Sequence, residues 1–265
     1  MGTGIVSRSN MPLSLDTRPV PRRIGLVLLA TDHTTERDVA RICRPDEVGV
    51  YANRIAYENP TTPENLFRMQ PRLTEGAALI LPGESLDALY YGCTAASVVI
   101  GDEAVEAAVQ SAKPGVPVIT PSAAARAAFR ALGVRRISIL TPYLPETSEP
   151  MAAYFQGRGQ EVVNLTCLGL DDDRMMARVS PATIVTAACE TTAPDAEALF
   201  ISCTALRAAE VAGEIEERIG KPVVTSNQAG VWLTLRRAGI ERPIEGHGRL
   251  TQLPAPPADE RAASA

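Results

Sequence analysis

The chain has 265 residues, 45% of them hydrophobic and 22% charged, with a net charge of −5. That length carries one large domain or two smaller ones with ample core. The acidic balance and scattered bases give no electrostatic reason for a nucleic-acid or membrane-surface partner. No apolar run approaches the roughly 20 residues of a membrane helix, and the polar stretch before Arg22 lacks the hydrophobic block of a secretory signal. A cytoplasmic location is the expectation. Cys43, Cys93, Cys167, Cys189 and Cys203 lie at wide spacings without a CxxC pair, so they read as free thiols rather than a disulfide framework.

Residues 1–21 and 251–265 read as flexible tails, mixed or Pro/Ala-rich and without periodicity. Between them the pattern alternates. Ile24 to Leu29 is a continuous apolar run, as expected of a strand covered on both faces. Thr34 to Arg44 reads as a helix, Val48 to Tyr51 as a strand, and Thr62 to Leu81 as helical material interrupted at Pro71. A strand ending at Cys93 follows, then a helix around Asp102 to Ser111. Val116 to Thr120 is a short strand, and Ser122 to Leu132 an alanine-rich helix closed by Gly133.

The chain then restarts. Arg136 to Leu140 echoes Arg23 to Val27, and Glu161-Val162-Val163 echoes Glu47-Val48-Gly49. Cys203-Thr204-Ala205 echoes Cys93-Thr94-Ala95, and Lys221 to Thr225 echoes Val116 to Thr120. Four ordered matches at a slowly drifting offset indicate duplicated halves. Short strands alternating with helices predict two pseudo-symmetric α/β units with parallel sheets.

The two cysteines each end a buried strand, at the sheet edge where α/β proteins bind ligands. A helix starting behind each would offer free N–H groups and a dipole favouring thiolate. The same N–H groups can hold a carboxylate or an oxyanion. Two such loops facing each other suit two-sided proton chemistry, or addition by one sulfur with proton delivery by the other. Against this, a lone cysteine is most often a small buried filler, and that reading stands for Cys43, Cys167 and Cys189. A sensor without catalysis, using the same cleft to bind a small carboxylate, is the alternative of a different class.

Four segments carry a resemblance: Leu29 to Glu36, Gly92 to Ser97, Leu140-Thr141-Pro142-Tyr143 and Ser202 to Ala205, with Leu168 to Asp173 a weaker fifth. On them the chain resembles the aspartate/glutamate racemase superfamily, in the branch of maleate cis–trans isomerases and arylmalonate decarboxylases. The resemblance implies a cleft between two domains, 22–120 plus 226–250 and 121–225. It implies a cofactor-free isomerase or racemase of a small carboxylate, and a homo-oligomer, dimer or tetramer. Cys93 would be the nucleophile and Cys203 the residue that protonates or deprotonates the substrate carbon. Thr94, Ala95, Tyr143 and Thr204 would bind substrate. Decarboxylases of the branch lack the first cysteine, so its presence here favours isomerisation over an arylmalonate-type decarboxylation.

His33 and Asp173 stand where the isomerases carry asparagine, which argues against maleate itself: an ionised Asp173 repels a second carboxylate and welcomes an amino group. Both are counted with the substrate-binding set, although His33 reads equally well as a solvated loop residue. The run Ala30 to Asp38, with Asn53 to Tyr57, looks most like the ectoine-utilisation proteins of the branch, whose substrates would be acetylated diaminobutyrates. Two distant histidines give no metal-ligand spacing, and Asp171-Asp172-Asp173 reads as a solvated loop capping a helix rather than a magnesium site. No GxxxxGK[ST] or GxGxxG exists, so no nucleotide cofactor is expected.

Overall fold

The computed structural model describes residues 6–257. The first half runs β1 (Arg22–Leu29), α1 (Thr35–Ile42), β2 (Val48–Ile55), α2 (Pro63–Phe67), α3 (Leu73–Ala78), β3 (Ala88–Gly92), α4 (Thr94–Ile100), α5 (Asp102–Gln110) and β4 (Val118–Ile119). The second runs α6 (Pro121–Leu132), β5 (Arg136–Tyr143), α7 (Pro145–Gln156), β6 (Glu161–Leu170), α8 (Asp173–Met176), α9 (Pro181–Thr191), β7 (Ala198–Ile201), α10 (Ala212–Ile219), β8 (Val223–Thr225) and α11 (Ser226–Arg237). The strands form two four-stranded sheets, ordered β2-β1-β3-β4 and β6-β5-β7-β8. Every pairing is parallel. The echoed segments occupy equivalent places in both sheets, which makes the duplication structural.

Burial explains which strands read clearly. β1 is buried along seven of its eight residues, and β3 and β7 throughout, so their sequences are unbroken apolar runs. β2 and β6 are sheet edges with partly open faces, and their polar residues hide their length. β2 accordingly continues four residues past Tyr51 to Ile55.

Helix boundaries follow local chemistry. Thr120 caps α6 by accepting the Ala123 N–H, and Gly133 closes it in the left-handed region at φ 68°. Thr225 and Gln228 form a reciprocal capping box at the start of α11. Where one helix was expected behind Cys93 there are two, separated at Gly101, whose φ of 94° suits only glycine.

α11 is buried along all but its last residue and packs across β3 and α6. The backbone of Gly230 lies so close to Tyr90 that a Cβ there would sit 2.3 Å from the ring. Phe129, Phe155 and Phe200 form an edge-to-face cluster between α6, α7 and β7, with Tyr154 edge-on to Phe155. The packed chain extends past residue 250: Thr251 is buried, and the Leu253 carbonyl accepts from Trp232 and Arg236. Residues 1–5 and 258–265 of the expected tails lie outside the described residues.

Candidate active site

The parallel sheets bring the ends of β3 and β7 together. One small cavity is lined by Cys93 and Ala95 from the first device, and by Cys203 and Thr204 from the second. Leu29, Asp32, Tyr57, Thr61, Leu66, Tyr143 and Asp173 complete its wall. Its interior leaves about 10 Å³ for the centre of a water molecule, which is room for about one water. Tyr57, Thr61 and Leu66 come from the segment between β2 and α3, which bridges the two halves. The Thr61 N–H donates to the Asp171 carbonyl at 2.6 Å, and the Thr147 hydroxyl donates to the Thr61 carbonyl at 2.8 Å. This is a closed pocket.

The two cysteine loops differ. Cys93 is the N-cap of α4 and follows the expected strand–Cys–helix pattern. Behind Cys203 no helix begins until Ala212, and the chain instead turns sharply, with Cys203 at φ 93°. Such a conformation costs a non-glycine residue of order 1–3 kcal/mol and persists only where the surroundings enforce it. Here it curls the Ala205 N–H back onto the Cys203 sulfur at 3.3 Å. The second sulfur is therefore cradled by a turn rather than by a helix N-terminus.

Neither sulfur is predisposed to ionise in the closed pocket, contrary to the expected thiolate. Burial pushes Cys203 up to about 12, with the Asp173 charge adding to the effect. The Tyr143 hydroxyl and the N–H groups of Ala205 and Leu206 oppose it. Cys93 is likewise raised by burial, with the Ala96 N–H as its opposing donor. Desolvation outweighs the local donors, so both groups rest as neutral thiols.

The remaining expected residues separate into two groups. Tyr143 and Asp173 line the cavity, as do Ala95 and Thr204. Thr94 and His33 do not: the Thr94 hydroxyl donates to Ser226 Oγ at 2.8 Å, and His33 is exposed. Asp32 takes the place in the wall because its side chain turns inward to hold the start of α1. Its Oδ1 accepts the N–H groups of Thr34 and Thr35, and its Oδ2 accepts the Thr35 hydroxyl. Asp173 is 8% exposed, and burial lifts it to about 6 against a 2.7 Å hydrogen bond from Thr31. Asp172 caps α8 and is paired to Arg174, which accounts for the acidic run. Among the described residues no cluster of three His, Cys, Asp or Glu could hold a metal, and no helix is long and apolar enough to cross a membrane.

Asn227, behind the wall, joins both halves of the site. Its amide donates to Asp38 Oδ2 and to the Thr204 carbonyl, both at 2.8 Å. Its oxygen accepts from Thr35 at 3.2 Å and from Tyr90 at 3.3 Å. Thr204 in turn donates to the Gly92 carbonyl at 3.1 Å. The local capping pattern at Thr225 and Gln228 marks the helix start, but these long-range partners have no sequence signal.

Comparison with known proteins finds relatives of the same fold. A profile of the family "Arylmalonate decarboxylase" matches residues 75–251. The arylmalonate decarboxylase of Bordetella bronchiseptica is 37% identical over 141 residues, 51% of this chain and 58% of that protein. The maleate isomerase of Nocardia farcinica is 27% identical over 240 residues, covering 86% of this chain and 95% of that protein. A solved structure of the Nocardia farcinica maleate cis–trans isomerase, a mutant with a covalently bound succinylcysteine intermediate, has the same fold. Its TM-score is 0.80 at 22% identity, over 87% of this chain and 98% of that one.

Proposed function

This chain belongs to the arylmalonate decarboxylase family, and within it we propose a cofactor-independent, two-cysteine isomerase or racemase of a small carboxylate. The observation that carries the reading is that Cys93 and Cys203, from equivalent strands of two duplicated sheets, line one closed cavity. The succinylcysteine of the Nocardia farcinica enzyme supports sulfur addition as the step. Cys93 loses its proton as its sulfur adds to an unsaturated carbon, and Cys203 relays a proton to the neighbouring carbon. Rotation about the resulting single bond and elimination then return both protons and give the isomer. On a saturated substrate the same pair racemises: one sulfur removes the proton from carbon and the other returns one on the opposite face.

The Tyr143 hydroxyl, the backbone around Ala95 and the Thr204 hydroxyl, once released from the Gly92 carbonyl, are the proposed holders of the substrate carboxylate. Substrate admission requires the segment carrying Tyr57 and Thr61 to part from Asp171, since the closed cavity holds only about a water. The resemblance of Ala30 to Asp38 to ectoine-utilisation proteins supports an acetylated diaminobutyrate as the specific substrate. The proposed domains are 22–120 with 226–250, and 121–225.

Deuterium incorporation in heavy water over small carboxylates and acetylated diamino acids tests the reading. Cys93→Ala and Cys203→Ala should each abolish exchange, a loss of at least ~10³-fold for a covalent or proton-transferring group, with circular dichroism unchanged. Full exchange in either variant would refute the proposal. Arylmalonate-type decarboxylation is the second reading, favoured by the stretch shared with the Bordetella enzyme. Release of carbon dioxide from a malonate that survives Cys93→Ala would establish it.

A further inference from the structure

The cavity wall contains two carboxyl groups, Asp32 and Asp173, and no lysine, arginine or histidine. The two acids are not equivalent. Asp32 is fully engaged, both oxygens accepting from the first turn of α1. Asp173 is engaged on one oxygen only: Thr31 donates to Oδ2, and among the described residues no donor reaches Oδ1. Neither nearby arginine supplies a counter-charge. Arg54 is turned to Glu36 and to the carbonyls of Leu29, Ala30 and Asp32, and Arg174 is paired with Asp172. His33, the basic side chain whose charge acts on Asp173, is exposed and stands outside the cavity wall, in no hydrogen bond with it.

A buried carboxylate with an open oxygen and no cation of its own is an incomplete ion pair. We infer that Asp173 is the anchor for a substrate ammonium, so that the substrates are small amino carboxylates rather than dicarboxylates. This rests on the proposed two-cysteine reading and narrows it. A substrate of that class presents one carboxylate to the hydroxyl side of the cavity, at Tyr143 and Thr204, and one amino group to Asp173. A dicarboxylate would instead place a second negative charge against Asp173 in a desolvated pocket, where like charges repel most strongly. Opening the pocket hydrates Asp173 but supplies it with no positive partner.

β-Alanine and succinate test this directly, because they share one carboxylate and differ at the other end by an ammonium in place of a carboxylate. Binding of each is measured by titration calorimetry on the full chain at pH 7.5. β-Alanine should bind at least about ten-fold tighter than succinate, and Asp173→Asn should erase or reverse that ratio. β-Alanine binding should also weaken as the pH falls through about 6, where Asp173 takes up its proton. The other groups facing Asp173 are Asp32, His33, Asp172, the Tyr57 phenol and the two thiols. Of the acids, Asp172 is lowered by Arg174, whereas burial raises Asp32 against the donors of Thr34 and Thr35, so the drop is assigned to Asp173 by its loss in Asp173→Asn. His33 is exposed and outside the cavity wall, and the drop should therefore persist in His33→Gln.

Succinate binding tighter than β-alanine in the wild-type protein, or no binding of β-alanine, overturns the inference. So does a ratio unchanged by Asp173→Asn. The wild-type ratio decides even if that variant fails to fold. Failure here leaves the cysteine chemistry standing, since that is judged separately by exchange in Cys93→Ala and Cys203→Ala.

Discussion

Asp38 lies behind the site and offers a sharp test of how burial shapes this protein's electrostatics. It is 2% exposed on α1, and its carboxyl accepts from the Asn227 amide that also holds the Thr204 carbonyl. Burial lifts it from the ordinary 3.8 to about 7, the Asn227 hydrogen bond pulling down and the Glu210 charge pushing up. Between those pH values the folded state keeps a proton that the unfolded chain has released. Stability therefore falls as the pH rises from about 4 to 7 and levels off above. At ~1.36 kcal/mol per pH unit the loss is on the order of 2–4 kcal/mol, allowing for relaxation around the charge. Asp38→Asn removes the titration and keeps an acceptor for Asn227, at the cost of about 1 kcal/mol above pH 7, where the wild-type bond is charge-assisted. Urea denaturation at intervals from pH 4.5 to 8.5 is the assay. The variant should be no more stable than wild type at the acid end and more stable above pH 7. Asp173 titrates in both proteins and cancels in the difference, and Asp32 does so apart from its charge coupling to Asp38. Parallel stability curves for the two proteins would refute the reasoning.

Two further substitutions probe the packing that brings the cysteine loops together. Asn227→Ala strips a buried hub and leaves Asp38 and the Thr204 carbonyl without their donor. At 1–3 kcal/mol for each orphaned group, denaturation should show a loss of about 3–5 kcal/mol, and a loss below about 1 kcal/mol would contradict the hub. Gly230→Ala drives a methyl group into the fully buried Tyr90 ring, 2.3 Å away. The ring has no room to retreat, so overpacking of at least 1–3 kcal/mol should appear as a lowered melting temperature.

The doubled framework was legible because duplication repeats the buried strands, whose apolar runs survive in both halves. Ile24 to Leu29, Leu89 to Gly92 and Leu199 to Ile201 lie at sheet centres, where burial on both faces enforces them. The edge strands were seen only in part, because an open face tolerates Asn53 and Arg54. At the site, the Cys-Thr-Ala repeat located both sulfurs. The choice between Asp32 and His33 was within reach: Asp32-His33-Thr34-Thr35 has the Asx pattern in which an aspartate accepts N–H groups two and three residues on. That bond fixes Asp32 inward and leaves His33 outside. Tyr57 and Thr61 had no such cue, because their positions depend on contacts between segments far apart in the chain.

Duplication gave two cysteines in similar sequence, but the fold does not treat them alike. Cys93 caps a helix and is opposed in its neutral state by one nearby N–H, that of Ala96. Cys203 sits in a strained turn with two N–H groups and a tyrosine hydroxyl directed at its sulfur. An anion on Cys203 therefore meets more donors than one on Cys93, although burial raises both thiols. Under the proposed mechanism this asymmetry divides the work: the better-supported sulfur alternates between thiol and thiolate as the proton relay. The less-supported sulfur gains most by leaving its charge behind in a bond to carbon. Strain at Cys203 is retained because the turn that causes it also supplies the donors. A substitution that relaxes the turn should therefore weaken proton relay before it weakens binding.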